Sequence, residues 1–396
     1  MTKDMVRVGI LGAGFLAETR ARCYGRIRGA QVVGVASRTG AHAEGLAARH
    51  GIPKVFASLS DLLASEDVDV VDLCVPNHLH RRCAEQVAQA KKHVICTKPL
   101  SAYTGQDLGI EPSDEAISGQ DRAHMRSMAV ADAQAMVDAA DQNGVQLFYG
   151  ENWLYAPAIV RARRLLEGAH ARILEMRGTE SHSGSHSPFA KRFRHTGGGA
   201  LLRLGAHPIG VMIHLKEQEG LRLAGRPIRP VAVTAEIGDL TQGAHHDPLR
   251  LAVATGWVDV ENWGCVIITF DDGSRGIATG SDNVLGGMQS QLLIMGSNCR
   301  FDANLSPSTD LLAYAPSEQE FAGAYLMEKL SNRAGWSTPM PNEDVTSGHE
   351  DMLRDFLDAV RQGRPAVASG GLGVAVVSVV YAAYESAATG RRVPLG

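Results

Sequence analysis

Residues 6–15, VRVGILGAGF, run a short apolar strand into a glycine-spaced turn and then into helix-forming residues. Gly9, Gly12 and Gly14 follow the spacing GxxGxG. A turn without side chains lets the backbone approach a pyrophosphate, which then meets the positive end of the next helix. The following residues narrow the choice of fold. QVVGVAS ends a second apolar strand at 37, a helical stretch covers 41–50, and VF follows at 55–56. A helix near 59–65, the strand DVDVVDLCVP at 67–76, a helix over 79–91 and HVICTKP then come in turn. Strands alternating with helices predict a parallel sheet covered on both faces, here a dinucleotide-binding domain.

Ligands of such sheets lie beyond the carboxyl ends of the strands. The second strand ends in Ser37-Arg38-Thr39, where an acidic residue would accept hydrogen bonds from a ribose diol. Arg38 can pair with a 2′-phosphate or stack on adenine, and Ser37 and Thr39 can donate; the cofactor is expected to be NAD or NADP, with a lean toward NADP. Phe15 opens the first helix beside the phosphates. Pro76 and Asn77, in VPNHLH, are expected beside the nicotinamide, and His80 is grouped with them although it can equally cap the next helix. Lys98, in ICTKPL, reaches the same edge one unit later, where a cation can hydrogen-bond an alcohol or carbonyl as charge develops. Pro99 fixes the backbone direction there.

Three segments, GILGAGF at 9–15, CTKP at 96–99 and GGGALLRLGAHPIG at 197–210, together resemble the Gfo/Idh/MocA oxidoreductases, named for glucose-fructose oxidoreductase and inositol dehydrogenase. The resemblance implies an α/β protein: an N-terminal Rossmann domain and a C-terminal α/β domain built on an open, mainly antiparallel sheet. It also implies nicotinamide-dependent chemistry on sugars, polyols or related molecules, and a homo-oligomer formed through the C-terminal sheet. Lys98 matches the lysine of the family's E-K-P motif, with Thr97 in place of the glutamate. His207 matches the histidine of D-x-G-x-H-x-x-D, but both aspartates are absent, replaced by Arg203 and Gly210. Lys98 and His207 are the expected catalytic pair. Arg203 cannot be a base; it suits an anionic substrate, a phosphate or an acidic neighbour. Read without the family, Gly197 to Gly199 form a close-packing turn before an amphipathic helix interrupted at Pro208, with Arg203 and His207 on one face and His214 continuing it.

The expected division is a nucleotide domain over 1–150, with a polar insert near 103–126, and a substrate and oligomerisation domain over 151–396. The insert is a lid, an oligomer contact or a plain solvent loop. Helices near 348–362 and 372–389 can pack back on the first domain. Glu151, Trp153 and Tyr155, in ENWLYAP, are expected to line the substrate cleft. His182 and His186, in HSGSHSPF, are expected to contact hydroxyls; their spacing fixes no metal geometry and no metal is assigned. KRFRH at 191–195 adds positive charge suited to an acidic sugar, and DDGS at 271–274 marks a hairpin between two strands.

A formal charge of −4 gives no general attraction to nucleic acid or anionic membrane, and neither is expected as a partner. Six cysteines without a CxxC pair fit buried thiols in a reducing compartment. The start MTKDMVRVGILG does not read as a signal peptide, and no apolar run reaches the length of a membrane span, so a cytoplasmic protein is expected. The leading function is hydride transfer between the cofactor and a small-molecule sugar, polyol or sugar derivative. The alternatives are redox-assisted glycoside cleavage with recycled NAD, and a nucleotide-binding sensor that has lost catalysis.

Overall fold

The computed structural model describes residues 5–185, 187–242, 251–306, 311–330, 332–340 and 342–395. The first elements alternate as the sequence predicts: β1 (Val6–Leu11), α1 (Phe15–Tyr24), β2 (Ala30–Ala36), α2 (Gly40–His50), β3 (Val55–Phe56), α3 (Leu59–Ala64), β4 (Val70–Leu73), α4 (His80–Gln89) and β5 (His93–Thr97). Next come α5 (Asp114–Ser118), α6 (Arg122–Asn143), β6 (Leu147–Gly150), α7 (Pro157–Gly168), β7 (Ile173–Ser181), α8 (Phe193–Thr196) and α9 (Ala206–Ala224). The strands β8 (Pro230–Gly238), β9 (Trp263–Phe270), β10 (Arg275–Ser281), β11 (Gln289–Gly296) and β12 (Arg300–Ser306) follow, then the short pair β13 (Ala313–Ala315) and β14 (Gly335–Ser337). The chain ends with α10 (Glu343–Thr346), α11 (His349–Gln362), α12 (Gly370–Thr389) and β15 (Val393–Pro394).

Two compact units emerge, each discontinuous in sequence. The first is Met1–Ala102, Ser127–Tyr155 and Gly348–Val377; the second is Tyr103–Arg126, Ala156–Ser347 and Ser378–Gly396. The polar insert therefore belongs with the second unit and α11 with the first.

In the first unit, six parallel strands are ordered β3-β2-β1-β4-β5-β6. Val8, Ile10, Val35, Val70, Val71 and Ile95 are fully buried, as β-branched residues are in a sheet covered on both faces. The strand order reverses at β1, so the chain leaves β1 toward one side and β4 toward the other and opens a crevice at their carboxyl ends. On α11, Phe356 stacks on Phe148 of β6 at 4.9 Å between ring centroids. Burying each ring stabilises the unit by about 1.5–3 kcal/mol. The helix α6 begins at Arg122, inside the stretch expected as the polar insert. The carboxylate of Asp121 accepts from the His124 N–H at 3.0 Å and caps that start.

The second unit is built on a seven-stranded sheet ordered β12-β11-β7-β10-β9-β8-β15. Its pairs are antiparallel except β7 with β10. The DDGS turn joins β9 to β10, with Gly273 at φ +87°. The helix α9 lies on one face, pressed close because glycines floor the sheet: a Cβ on Gly178 would come within 2.5 Å of the Pro208 ring. A π turn over Leu201–Gly205 leads into α9. Pro208 has no N–H to give the carbonyl of Leu204, so a regular turn cannot close there. One sequence expectation needs correcting: α12 is long and apolar enough to cross a membrane by length and composition. Most of it is buried, including Val376, Val380, Tyr381 and Tyr384, so it is a core helix.

Candidate active site

The first unit gathers its candidate residues at the carboxyl ends of its parallel strands. Gly12 follows β1 at φ +111°, where L side chains are rarely found, and a Cβ there would collide with the carbonyl oxygen of Cys74. The turn is held by the Gly12 N–H donating to Ala36 O at 2.8 Å. Gly14 caps α1 with no side-chain bond to the first-turn N–H groups, and the space a Cβ would fill is open. Phe15 beside it is 70% exposed. An uncapped N-terminus on a ten-residue helix, reached through open space, fits the pyrophosphate of a dinucleotide. Gly9 is a different case. It lies inside β1, where a Cβ would press on Leu62 at 3.0 Å and Val68 at 3.2 Å, so it serves packing and is not part of the turn.

Ser37 follows β2 half-buried, and Arg38 and Thr39 are exposed. Pro76 is exposed and Asn77 half-buried at the end of β4, while Lys98 is half-buried at the end of β5. His80 corrects the sequence reading. It is fully buried, with Nε2 3.0 Å from Val75 O and Nδ1 3.1 and 3.2 Å from Pro99 O and Leu100 O. Burial depresses its pKa. His80 thus ties the VPNHLH turn to the chain just after Lys98 and has no surface left for a cofactor.

The ENWLYAP residues also depart from expectation. Trp153 is 2% exposed and packs as core. Glu151 is fully buried and accepts from the Trp153 N–H at 3.1 Å. Tyr155 donates to Asp355 of α11 at 2.8 Å and accepts from the Ala368 N–H at 3.0 Å. Tyr155 fastens the end of β6 to α11, and all three are buried as core rather than set out as a substrate platform.

The second unit assembles another polar cluster around the start of α9. His207 is 5% exposed, and its Nε2 lies 3.6 Å from Glu180 Oε2 on β7. Arg203, in the π turn, pairs with Asp282, which follows β10 and is fully buried. The acidic neighbour foreseen for Arg203 is therefore part of the chain. The Arg203 guanidinium also sits 5.5 Å from the Trp257 ring centre, with Lys191 Nζ at 6.0 Å from the same ring. His182, beyond β7, accepts from the Gly184 N–H through Nδ1 at 2.9 Å and lies 3.4 Å from Asp282. An accepting Nδ1 puts the proton of a neutral ring on Nε2. Lys329 donates to Gly184 O at 2.9 Å, and burial lowers its pKa. His186 lies outside the described residues. In KRFRH, Arg192 and Arg194 both pair with Asp114 of the insert, so much of the positive charge assigned to an acidic substrate is already neutralised.

Sequence reading missed Glu180, Asp282 and Glu261. Glu180 shares the inward parity of Met176 and Gly178 on β7, and a carboxylate in that register was the available signal. Glu261 is buried and accepts from the N–H groups of Gly199 at 2.8 Å and Leu201 at 3.0 Å and from the Tyr384 hydroxyl at 2.9 Å. Burial raises its pKa.

Residues 6–108 match the model of the oxidoreductase family with an NAD-binding Rossmann fold, and residues 159–302 match the GFO/IDH/MocA C-terminal domain. The chain belongs to the Gfo/Idh/MocA oxidoreductase family. Levoglucosan dehydrogenase of Pseudarthrobacter phenanthrenivorans is 28% identical over 224 residues, 53% of this chain and 51% of that one. Inositol 2-dehydrogenase of Rhizobium meliloti is 23% identical over 98% of this chain and 99% of its own. The chain spans about half the length of the first of these relatives and all but the ends of the second. The crystal structure of GenD2 from gentamicin A biosynthesis, in complex with NAD, superposes with a TM-score of 0.78 at 28% identity, covering 100% of this chain and 98% of that one.

Proposed function

We propose that the protein is an NAD(P)-dependent dehydrogenase of a sugar, polyol or sugar-derived alcohol. The observation that carries this reading is Lys98, half-buried at the carboxyl end of β5 in a sheet whose Gly12–Gly14 turn fits a dinucleotide pyrophosphate. Relatives named for levoglucosan, inositol and D-apiose support the substrate class. A bound nicotinamide supplies the hydride acceptor. Lys98 donates a hydrogen bond to the substrate oxygen and steadies the charge that develops there as the carbinol C–H leaves as hydride. His207 would take the hydroxyl proton as the alcohol becomes a carbonyl. The turn at Gly12 and Gly14 would hold the pyrophosphate, and Pro76 and Asn77 would lie on the nicotinamide side.

Arg38, exposed after β2 and paired with no carboxylate among the described residues, favours NADP over NAD through a 2′-phosphate contact. Ser37 and Thr39 add donors to the same ribose. His182 and Arg203 are assigned to the substrate side, with Arg203 acting through its Asp282 pair. The six cysteines, none in a disulfide, support a cytosolic location. A homo-oligomer is proposed through the sheet face opposite α9.

The test is absorbance near 340 nm with stoichiometric NAD or NADP and a panel of neutral and acidic sugars, polyols and glycosides. Steady accumulation of reduced cofactor, lost on Lys98→Ala while nucleotide still binds, is the expected result. Full turnover by Lys98→Ala would overturn the assignment. A transient that decays as a glycoside is cleaved would replace it with the recycled-cofactor reaction. Binding of nucleotide and sugar without any turnover would replace it with a sensor.

A further inference from the structure

We infer that Glu180, which comes from the sheet and not from the helix bearing His207, is the positioning carboxylate of His207. The inference rests on the catalytic reading of His207 given above. Its own grounds are geometric. Gly178, Glu180 and His182 share one parity along β7, and Gly178 marks that parity as the face under α9, since a Cβ there would touch Pro208. The missing side chain at 178 lets Pro208 descend onto the strand. His207, one residue earlier, is then set beside Glu180, two residues further along. The result is an Nε2 to Oε2 separation of 3.6 Å between side chains that are 6% and 7% exposed.

The neighbouring buried acids have other duties. Asp282 pairs with Arg203. Glu261 accepts from the Gly199 and Leu201 N–H groups and from Tyr384. Among the described residues, Glu180 is a carboxylate that faces the imidazole. Its register partners are Gly280 on β10 and Ser290 on β11. Position 203, one turn before His207 on the same stretch, holds an arginine that could not fill this role.

A carboxylate facing Nε2 selects the tautomer with the proton on Nε2, so Nδ1 is the nitrogen that receives the hydroxyl proton. As that proton arrives, the imidazolium is stabilised by the adjacent anion in a dry setting, where the interaction is stronger than in water. The proton passes from substrate oxygen to Nδ1, and the Nε2 proton stays in place beside the Glu180 carboxyl group.

The pair is tested by proton–nitrogen NMR of the full chain labelled at histidine, with the His207 signals assigned by their loss in His207→Gln. The expected wild-type signature is a downfield, slowly exchanging Nε2–H on His207. It should disappear or move upfield in Glu180→Gln and persist in Glu180→Asp, which keeps the charge one methylene short. Turnover should follow, with kcat falling about 10- to 100-fold in Glu180→Gln, less than the loss of the base itself. Glu180→Asp should recover part of that loss, and both KM values should move less than about threefold. An unchanged His207 Nε2–H signal in a folded Glu180→Gln would overturn the inference whatever the activity. If Glu180→Gln fails to fold, Glu180→Asp decides: a kcat equal to wild type would overturn it, and a partial loss at constant KM would support it. Turnover surviving in His207→Gln removes the catalytic reading instead, and is thereby told apart from failure of the pair, which the NMR signal reports alone.

Discussion

At the residue scale, Gly12 and Gly14 look alike in sequence and differ in what they are for. Gly12 combines a positive φ with a carbonyl in the way of any Cβ. Gly12→Ala should destabilise the first unit by about 2 kcal/mol or more, seen as a lowered melting temperature. Gly14 has neither constraint, so Gly14→Ala should melt with wild type and yet bind nucleotide at least about tenfold more weakly in a fluorescence titration, since the space filled belongs to the ligand. Equal nucleotide affinity in Gly14→Ala would remove the pyrophosphate from that turn. His214 supplies a second contrast. Burial, with Arg163 adding to it, lowers its pKa from 6.5 to about 4, and its buried Nε2 has no hydrogen-bond partner among the described residues. The native value lies below the unfolded one, so between them the unfolded chain holds more protons. Stability is complete above about pH 6.5 and is lost as pH falls toward 4, by about 3 kcal/mol at the lower end. His214→Leu should flatten that part of the curve in urea melts at pH 7, 6, 5 and 4.5. A slope unchanged by the substitution would place the acid sensitivity elsewhere.

At the scale of the element, the three-glycine turn before α9 is explained by what lies against it. The Gly199 position is filled by Glu261, whose carbonyl a Cβ would strike, and the Glu261 carboxylate takes both nearby N–H groups. Tyr384 of α12 donates to the same carboxylate. Tyr384→Phe should therefore cost about 2 kcal/mol, the range for a hydrogen bond to a charged group, and should lower kcat by loosening the turn that starts the His207 helix. Wild-type stability in Tyr384→Phe would show that water replaces the hydroxyl. Strand and helix periodicity made the Rossmann order legible, because each element there is local and its apolar pattern follows one period. Partners that meet across the fold left no such trace. DVDVVDLCVP reads as a buried strand, yet Asp72 at its centre is held by Tyr24 at 2.9 Å and Arg20 at 3.6 Å, both from α1. ENWLYAP reads as a cleft lining because aromatic residues serve core and ligand equally, and only burial separates the two. Glycine spacing could not distinguish Gly9, which packs, from Gly14, which leaves space. The motif residues Lys98 and His207 were legible, while Glu180 and Asp282, which surround the histidine, depend on strand register and were not.

At the scale of the whole molecule, the seven-stranded sheet has one face under α9 and another that remains half-exposed. Register places Leu293, Arg177, Ile277, Ile267 and Thr234 in one row across five strands of that second face. The next row is Gln291, Thr179, Thr279, Cys265 and Glu236. Leu293 and Ile277 are half-buried and Ile267 is 43% exposed, so an apolar centre is bordered by charged and hydroxyl side chains. Such a centre with a polar rim is how a self-complementary interface is composed, and a two-fold axis through the first of these rows would set Ile277 and Ile267 against their own copies. Ile267→Arg places a charge at that centre and makes like charges meet across the axis, without touching the α9 face. Light scattering should then report a smaller species than wild type, with the melting temperature of the remaining fold lowered only by the loss of association. An unchanged mass would move the interface to another surface. Because Glu180 and His207 lie on the opposite face of the same sheet, the variant also reads whether association stiffens the floor on which they rest: kcat falling with mass says that it does, and kcat holding steady says that the unit keeps its catalytic geometry alone.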